Sequence, residues 1–192
     1  MNTNDNTLME QVSSGKVGQL AILFERYHKP LFRYFVSMQR DRQMAEDLVQ
    51  EVFFRMLRYR GSYNAAQSFT GWMYQIARNA AVDQTRKRRD VVDIDEFADR
   101  RPEFASKQPG PEEAVVHKQD LGLLRRAMER LPRDKREILV LSRFQGMKHE
   151  EIASVLGCEV GTVKVRVYRA LRALEQLYLA LEKDGLGQES AS

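Results

Sequence analysis

The segment from Gly157 to Leu174, GCEVGTVKVRVYRALRAL, limits the chain to one class of fold. Its centre, Val163-Lys164-Val165-Arg166-Val167, alternates apolar and basic residues with the period of a half-buried strand. A helical period accounts for far more of the segment. At about 100° per residue, Val163, Val167, Ala170, Leu171, Leu174, Leu177, Tyr178 and Leu181 fall in one apolar stripe roughly 120° wide. The strand explains Val163 to Val167 and the helix explains about five turns, so the segment is predicted helical. Val165 is then the misfit, pointing away from the stripe among Lys164, Tyr168, Arg169 and Arg172.

The same period recurs along the chain. Leu20, Leu23, Phe24, Tyr27, Leu31 and Phe35 trace an amphipathic helix, with a kink or break expected near Lys29 because Pro30 lies inside it. A second helix is predicted from Asp41 to Arg60 on Met44, Leu48, Val52 and Met56. A third begins near Ser68 or Thr70 and runs through Trp72, Ile76 and Ala80 to Arg86-Lys87-Arg88-Arg89. From 90 to 112 periodicity is lost among acidic residues and Pro102, Pro109, Gly110 and Pro111, which predicts an extended linker. Helical pattern resumes near Glu112 and continues to Leu131. Pro132 is expected to open the next helix at its first turn, and Gly146 to stop it. The expected fold is all-α: two small helical domains, residues 1–90 and 113–183, joined by an acidic linker at 91–112, with a disordered tail at 184–192.

Charge is distributed in blocks. Residues 1–89 carry a net of +6, residues 90–120 a net of −5 and residues 121–192 a net of +3. Two basic blocks around an acidic spacer suit two nucleic-acid-facing domains on a tether. The single Cys158 excludes an internal disulfide, and His28, His117 and His149 have no metal-ligand spacing. No apolar run is as long as a membrane span, and the N-terminus lacks a leader pattern, so a cytoplasmic protein without membrane insertion is expected. Paired carboxylates, a nucleophile–base pair and a phosphate loop are all missing from the sequence pattern. No enzymatic activity, cofactor, metal or small-molecule substrate is therefore expected.

Glu150 to Leu156 reads as a short amphipathic helix, and Gly157-Cys158-Glu159 as a turn into the long helix. Helix, Gly-containing turn and second helix make a helix-turn-helix, whose second helix enters the major groove with its N-terminal half. Gly161 and Thr162 would start that helix, where free backbone N–H groups and a hydroxyl can bond a phosphate. Beyond them Lys164, Val165, Arg166, Tyr168, Arg169 and Arg172 form the outer face. Arginine can bond guanine edges bidentately, and a valine methyl can meet a thymine methyl. On the wheel alone, a solvated outer face of a bundle helix fits as well.

Two blocks of sequence resemble a known family. Leu131-Pro132, Arg136 to Leu141, Gly146, Glu150 to Ala153 and Val160 to Lys164 resemble the fourth conserved region of bacterial sigma factors. Ala45 to Phe53 and Phe69 to Asn79 look like the second region. Together they resemble the compact extracytoplasmic-function (ECF) group of the sigma-70 family, in the family's order. The resemblance implies a subunit that binds core RNA polymerase through β′ and β and directs initiation from −35 and −10 promoter elements. It implies polymerase docking by the helix carrying Asp47, Gln50, Glu51 and Phe54. It also implies −10 recognition and strand opening by residues 61–89, with Tyr63, Phe69, Arg78, Asn79, Arg86, Lys87 and Arg88 as candidates. Trp72, four residues before Ile76, fits the core better than a stacking platform. An anti-sigma protein is a further partner that membership would allow.

Three positions depart from the family pattern. Glu159 stands where proline is common, Lys148 where Ser or Thr caps the first helix of the motif, and Val165 where a small polar residue is usual. Lys148 implies that this helix frays or is capped another way. Two rivals remain open at this point: a two-domain helix-turn-helix regulator that works without polymerase, and a sigma-like module that sequesters a regulator.

Overall fold

In the computed structural model the backbone is described for residues 4–39, 41–91 and 113–189, and side chains for residues 4–39, 41–86 and 120–184. Eight α-helices occur among the described residues: α1 Asp5–Ser13, α2 Leu20–Gln39, α3 Arg42–Arg58, α4 Phe69–Val91, α5 Glu113–Arg130, α6 Arg133–Leu139, α7 His149–Leu156 and α8 Val160–Glu189. The all-α expectation holds, with no strand among the described residues.

Helix boundaries follow from local chemistry. The Asp41 carboxylate accepts from the Met44 N–H at 3.0 Å and starts α3, a cap that stabilises by about 1 kcal/mol. Ser68 precedes α4, and its Oγ accepts from the Gly71 N–H at 3.4 Å. Pro132 lies just before α6 rather than in its first turn. A π-helical turn, Val140–Phe144, extends α6. Gly146, at φ 63°, then takes the left-handed backbone that turns the chain towards α7.

The expected break near Lys29 does not occur, because α2 runs through Pro30. A proline inside a helix costs about 3 kcal/mol. Leu23, Leu31, Tyr34 and Phe35 are each at most 1% exposed along this helix, and burying such side chains contributes about 1.5–3 kcal/mol apiece. Tertiary burial outweighs the local penalty.

Helices α1 to α4 form the N-terminal half, with α3 packed between α2 and α4 and α1 against α2. In the C-terminal half α8 gathers α5, α6 and α7 around itself. The two halves are in contact, α4 on α7 and α2 on α6 and the π-turn. One buried apolar cluster runs through both, from Leu8 and Val12 through Phe35, Val52 and Met73 to Ile138, Ile152 and Val163. The linker expected at 91–112 falls almost wholly outside the described residues. Helix α8 continues to Glu189, past residue 184 where the sequence reading placed a disordered tail.

Candidate nucleic-acid interface

The helix-turn-helix is built from α7, a turn at Gly157 and α8. Gly157 has φ 62° and ends α7 in the left-handed conformation. Lys148 supplies no side-chain cap to α7; instead Glu151 reaches back and its Oε2 accepts from the Lys148 N–H at 2.8 Å. This is the alternative capping that the missing Ser or Thr called for. Ile152, Ala153 and Val155 of α7 are buried together with Val163, Val167 and Ala170 of α8. The valines at 163 and 167 thus form the seam, as the helical period required.

The opposite face of α8 is open. Lys164, Arg166, Arg169 and Arg172 are exposed, with Val165 48% and Tyr168 65% exposed. Thr162 is half-buried in the first turn. Among the described residues Arg172 forms an ion pair with Glu175 at 3.6 Å, whereas Lys164, Arg166 and Arg169 form none. A free row of cations flanking an aromatic and a valine has the chemistry of a major-groove surface.

On the N-terminal half the candidates separate. Asn79 and Arg86 of α4 are exposed. Tyr63 and Phe69, expected as stacking platforms, are buried at 9% and 1% exposure. The Tyr63 ring meets Trp72 edge-on at 5.1 Å, and the Phe69 ring lies against Tyr27 at 5.2 Å. Burial, with the carboxylates of Glu10 and Asp5 nearby, pushes the Tyr63 hydroxyl up to about 12. Both rings therefore shape the surface from beneath instead of presenting a face to a base. Trp72 is half-buried, consistent with its reading as core. The side chains of Lys87 and Arg88 lie outside the described residues. Tyr59 was missed: it is 48% exposed at the end of α3, with the Arg58 guanidinium 5.6 Å from its ring centre. Its position just past the predicted core stripe hid it.

Arg78 is engaged elsewhere. Its Nε donates to Glu137 Oε1 of α6 at 3.2 Å, and the Tyr34 hydroxyl donates to the same oxygen at 3.1 Å. Glu137 is 8% exposed and stands among buried apolar residues. A buried carboxylate needs such partners, since leaving it unpaired costs several kcal/mol. Farther along the contact, Glu151 Oε1 accepts from the hydroxyls of Ser68 and Thr70. Tyr74 donates to Gln145 Oε1 at 2.7 Å, and Gln145 Nε2 donates to the Pro30 carbonyl at 3.4 Å. Burial pushes the Glu151 carboxyl up, but the bonds from Ser68, Thr70 and the Lys148 N–H win and hold it below the ordinary carboxylate range. The face of α4 formed by Ser68, Thr70, Gly71, Tyr74 and Arg78 is thus covered by the C-terminal half. Nothing in the periodicity singled out Glu137 or Glu151 for this contact.

The outer face of α3 carries Asp47, Gln50 and Phe54, all exposed, with Phe54 at 59%. Glu51 is drawn sideways: its Oε1 accepts from Arg55 Nε at 2.6 Å, and Arg55 also donates to Asp83 at 2.7 Å. Three of the four polymerase candidates therefore face solvent freely, and the fourth holds α3 to α4 through Arg55. No helix among the described residues is long and apolar enough to cross a membrane, and no His/Cys/Asp/Glu group among them could hold a metal ion.

A helix-turn-helix with a free basic face, in an all-α chain of two packed halves, defines a DNA-binding transcription protein. Comparison with known proteins narrows this class. Residues 23–91 match Sigma-70 region 2 and residues 121–174 match Sigma-70, region 4. The chain is 30% identical to the RNA polymerase sigma-H factor of Pseudomonas aeruginosa, covering 90% of this chain and 92% of that one. It is 32% identical to the ECF RNA polymerase sigma-E factor of Escherichia coli, covering 89% and 92%. Among solved structures it is similar to the sigma factor RpoE in complex with the anti-sigma factor NepR from Bartonella quintana (26% identity, TM-score 0.67, 82% of this chain and 94% of that one). The chain belongs to the ECF group of the sigma-70 family and is an alternative sigma factor, directing promoter-specific transcription. Proteins of this family are initiation factors rather than catalysts, and the polymerase-independent regulator is not favoured.

Proposed function

We propose that the chain docks on core RNA polymerase through Asp47, Gln50 and Phe54 of α3, reads the −35 element with α8, and stabilises the opened −10 element with residues 61–89. The observation that carries this reading is the outer face of α8, where Lys164, Val165, Arg166, Tyr168 and Arg169 stand exposed while Val163 and Val167 are sealed in the seam. Thr162 and the first-turn amides of α8 meet a phosphate, Arg169 a base edge, and Val165 a thymine methyl. Asn79 and Arg86 meet the opened strand from α4, Asn79 by base-edge hydrogen bonds and Arg86 by the backbone.

Geometry adds a requirement. Elements centred roughly 25 base pairs apart lie about 85 Å apart along B-form DNA. With α4 against α7, the two reading surfaces are far too close to engage both. Residues 92–112, fully extended, reach about 70 Å, so separation of the halves makes simultaneous reading feasible. It also frees Arg78 from Glu137 for the DNA backbone. The contact between halves is then the resting arrangement, and engagement with polymerase and promoter opens it. An anti-sigma protein is a further partner, supported by the kinship with the Bartonella quintana protein, which is bound to one.

The test is transcription in vitro from a promoter library with core polymerase and the purified chain, with start sites sequenced. Initiation from a consistent pair of upstream elements is expected. Transcripts with no shared element, or none above core polymerase alone, would sink the reading.

A further inference from the structure

Helix α1 is fixed to the N-terminal half by burial of Leu8, Met9 and Val12, each at most 1% exposed. Asp5 fastens its start, accepting from Arg26 and from the Tyr27 hydroxyl of α2. Asn6, next along, turns away from its own helix towards the segment that leads into α4. Its Nδ2 donates to the carbonyls of Ala65 at 3.4 Å and Gln67 at 3.2 Å. Its Oδ1 accepts from the Phe69 N–H at 3.0 Å. Two donors and one acceptor at a single tip is what a carboxamide offers and a carboxylate or hydroxyl does not.

These bonds fall where the backbone has few partners of its own. Phe69 is the first residue of α4, so its N–H is one of the four that no helical carbonyl can reach. Ser68 satisfies another, from Gly71. Between α3 and α4 the chain is held internally by a 3-10 turn at Arg60–Ser62 and by Asn64, which accepts from Ala66 N–H on its side chain and from Gln67 N–H on its carbonyl, both at 3.0 Å. Those bonds shape the loop but do not attach it to the body. Tyr63 and Asn6 do: the ring packs on Trp72, and the carboxamide bridges residues 65, 67 and 69 to α1. The loop's outward residues Ser62, Asn64 and Gln67 are exposed.

We infer that Asn6 is a positioning residue for single-strand capture: by clamping the carbonyls of Ala65 and Gln67 and the first amide of α4, it sets where loop 59–68 stands relative to Asn79 on α4. The inference rests on residues 61–89 being the surface that meets the opened −10 strand. A base drawn from the stack is held by edge hydrogen bonds and stacking, both of which fail with displacements on the ångström scale. Without Asn6 the stretch between Tyr63 and Ser68 would keep only its own turns and would wander over that range. Asn6 touches no base in this scheme; it acts through the loop.

The experiment uses holoenzyme assembled from core polymerase and the full chain, as wild type, Asn6→Ala and Asn6→Asp. Three probes are bound by fluorescence anisotropy: a single strand carrying the −10 sequence found by start-site mapping, a scrambled strand, and a −35 duplex. Asn6→Ala is expected to cut the preference for the −10 strand over the scrambled strand about tenfold. Binding to the −35 duplex is expected to change by less than about twofold, because α8 lies in the other half. Asn6→Asp keeps an acceptor for the Phe69 N–H but turns oxygen towards two carbonyls, so it should lose at least as much preference as Asn6→Ala. Thermal melting of the free chain is recorded alongside. If melting falls while the strand preference stays intact in both variants, Asn6 is only a brace for the fold and the proposal is overturned. A uniform loss on all three probes overturns it too. If wild-type holoenzyme shows no strand preference, the −10 role of residues 61–89 fails, and the inference falls with it.

Discussion

A covalent lock across the two halves tests whether they must part. Gly71 of α4 comes so close to α7 that a Cβ placed on it would lie 3.9 Å from the Glu151 Cα. The two Cα atoms are therefore within about 5.4 Å, inside the range that a disulfide spans. Gly71→Cys with Glu151→Cys, in a Cys158→Ser background to prevent mispairing, should oxidise readily in the free chain. A bridge there joins the two halves covalently, so the open arrangement is out of reach until the disulfide is reduced. Oxidised protein should therefore lose at least about 100-fold of its promoter-directed transcription, and dithiothreitol should restore it. The comparison is made within one variant, so the loss of Glu151 itself cancels. The assay is run-off transcription from the mapped promoter, with the locked fraction read on a non-reducing gel. Oxidised protein that initiates as well as reduced protein would refute the need for separation. Two thiols that stay free under mild oxidant would refute the contact between halves in the free chain.

Four further perturbations have expected outcomes. Phe54→Ala should leave the melting free energy within about 0.5 kcal/mol, since the ring is mostly in solvent. The same variant should weaken core-polymerase binding about tenfold or more, as an aromatic at the centre of an interface does; calorimetry and a core-binding titration measure the two. Arg169→Ala should cost on the order of 1–3 kcal/mol at the −35 element with altered base preference, whereas equal loss on every sequence would assign Arg169 to the backbone; Val165→Ser, tested on the same library, should shift preference at a thymine position. On acidification, Glu151, held below its ordinary value, keeps its full contribution above about pH 4.5 and loses it as pH falls through the lowered value. Fluorescence transfer between dyes on the two halves should therefore report separation on the acid side of pH 4.5 and none between pH 6 and 8.

Much of the molecule was legible because helical period, caps and turns are local. Of the stripe, Val163, Val167, Ala170 and Leu181 are buried and Leu171, Leu174, Leu177 and Tyr178 half-buried, and Val165 is as exposed as its misfit implied. Asp41 begins α3 by the capping chemistry its type favours. What was not legible is which partner an apolar face or a polar side chain finds. Tyr34 belongs to an apolar face by period and Tyr74 lies off the Trp72, Ile76 and Ala80 stripe, yet their hydroxyls bond Glu137 and Gln145 from the distant half. Phe69 and Tyr63 read as aromatics beside a basic cluster, and only packing against Tyr27 and Trp72 decides that their rings turn inward. Asn6 carried no signal, because its three partners lie about 60 residues away.

The division of labour within Glu151 bears on how the chain can open without losing its reading surfaces. One oxygen accepts from the Lys148 N–H and caps α7, and the other holds Ser68 and Thr70 of the N-terminal half. Parting the halves removes the second set and leaves the first, so the helix-turn-helix keeps its cap. The seam of Ile152, Val155, Val163 and Val167 lies wholly within the C-terminal half and is likewise untouched. On the other side, α4 retains Ser68 on the Gly71 N–H and Asn6 on the Phe69 N–H, both contributed by its own half. The bonds broken on opening are those of Glu137, Gln145 and the outer oxygen of Glu151, groups that water can take over at small net cost. The apolar cluster shared by the two halves is what opening must expose, so contacts to polymerase and promoter have to offset that exposure, while the polar bonds are exchanged for water.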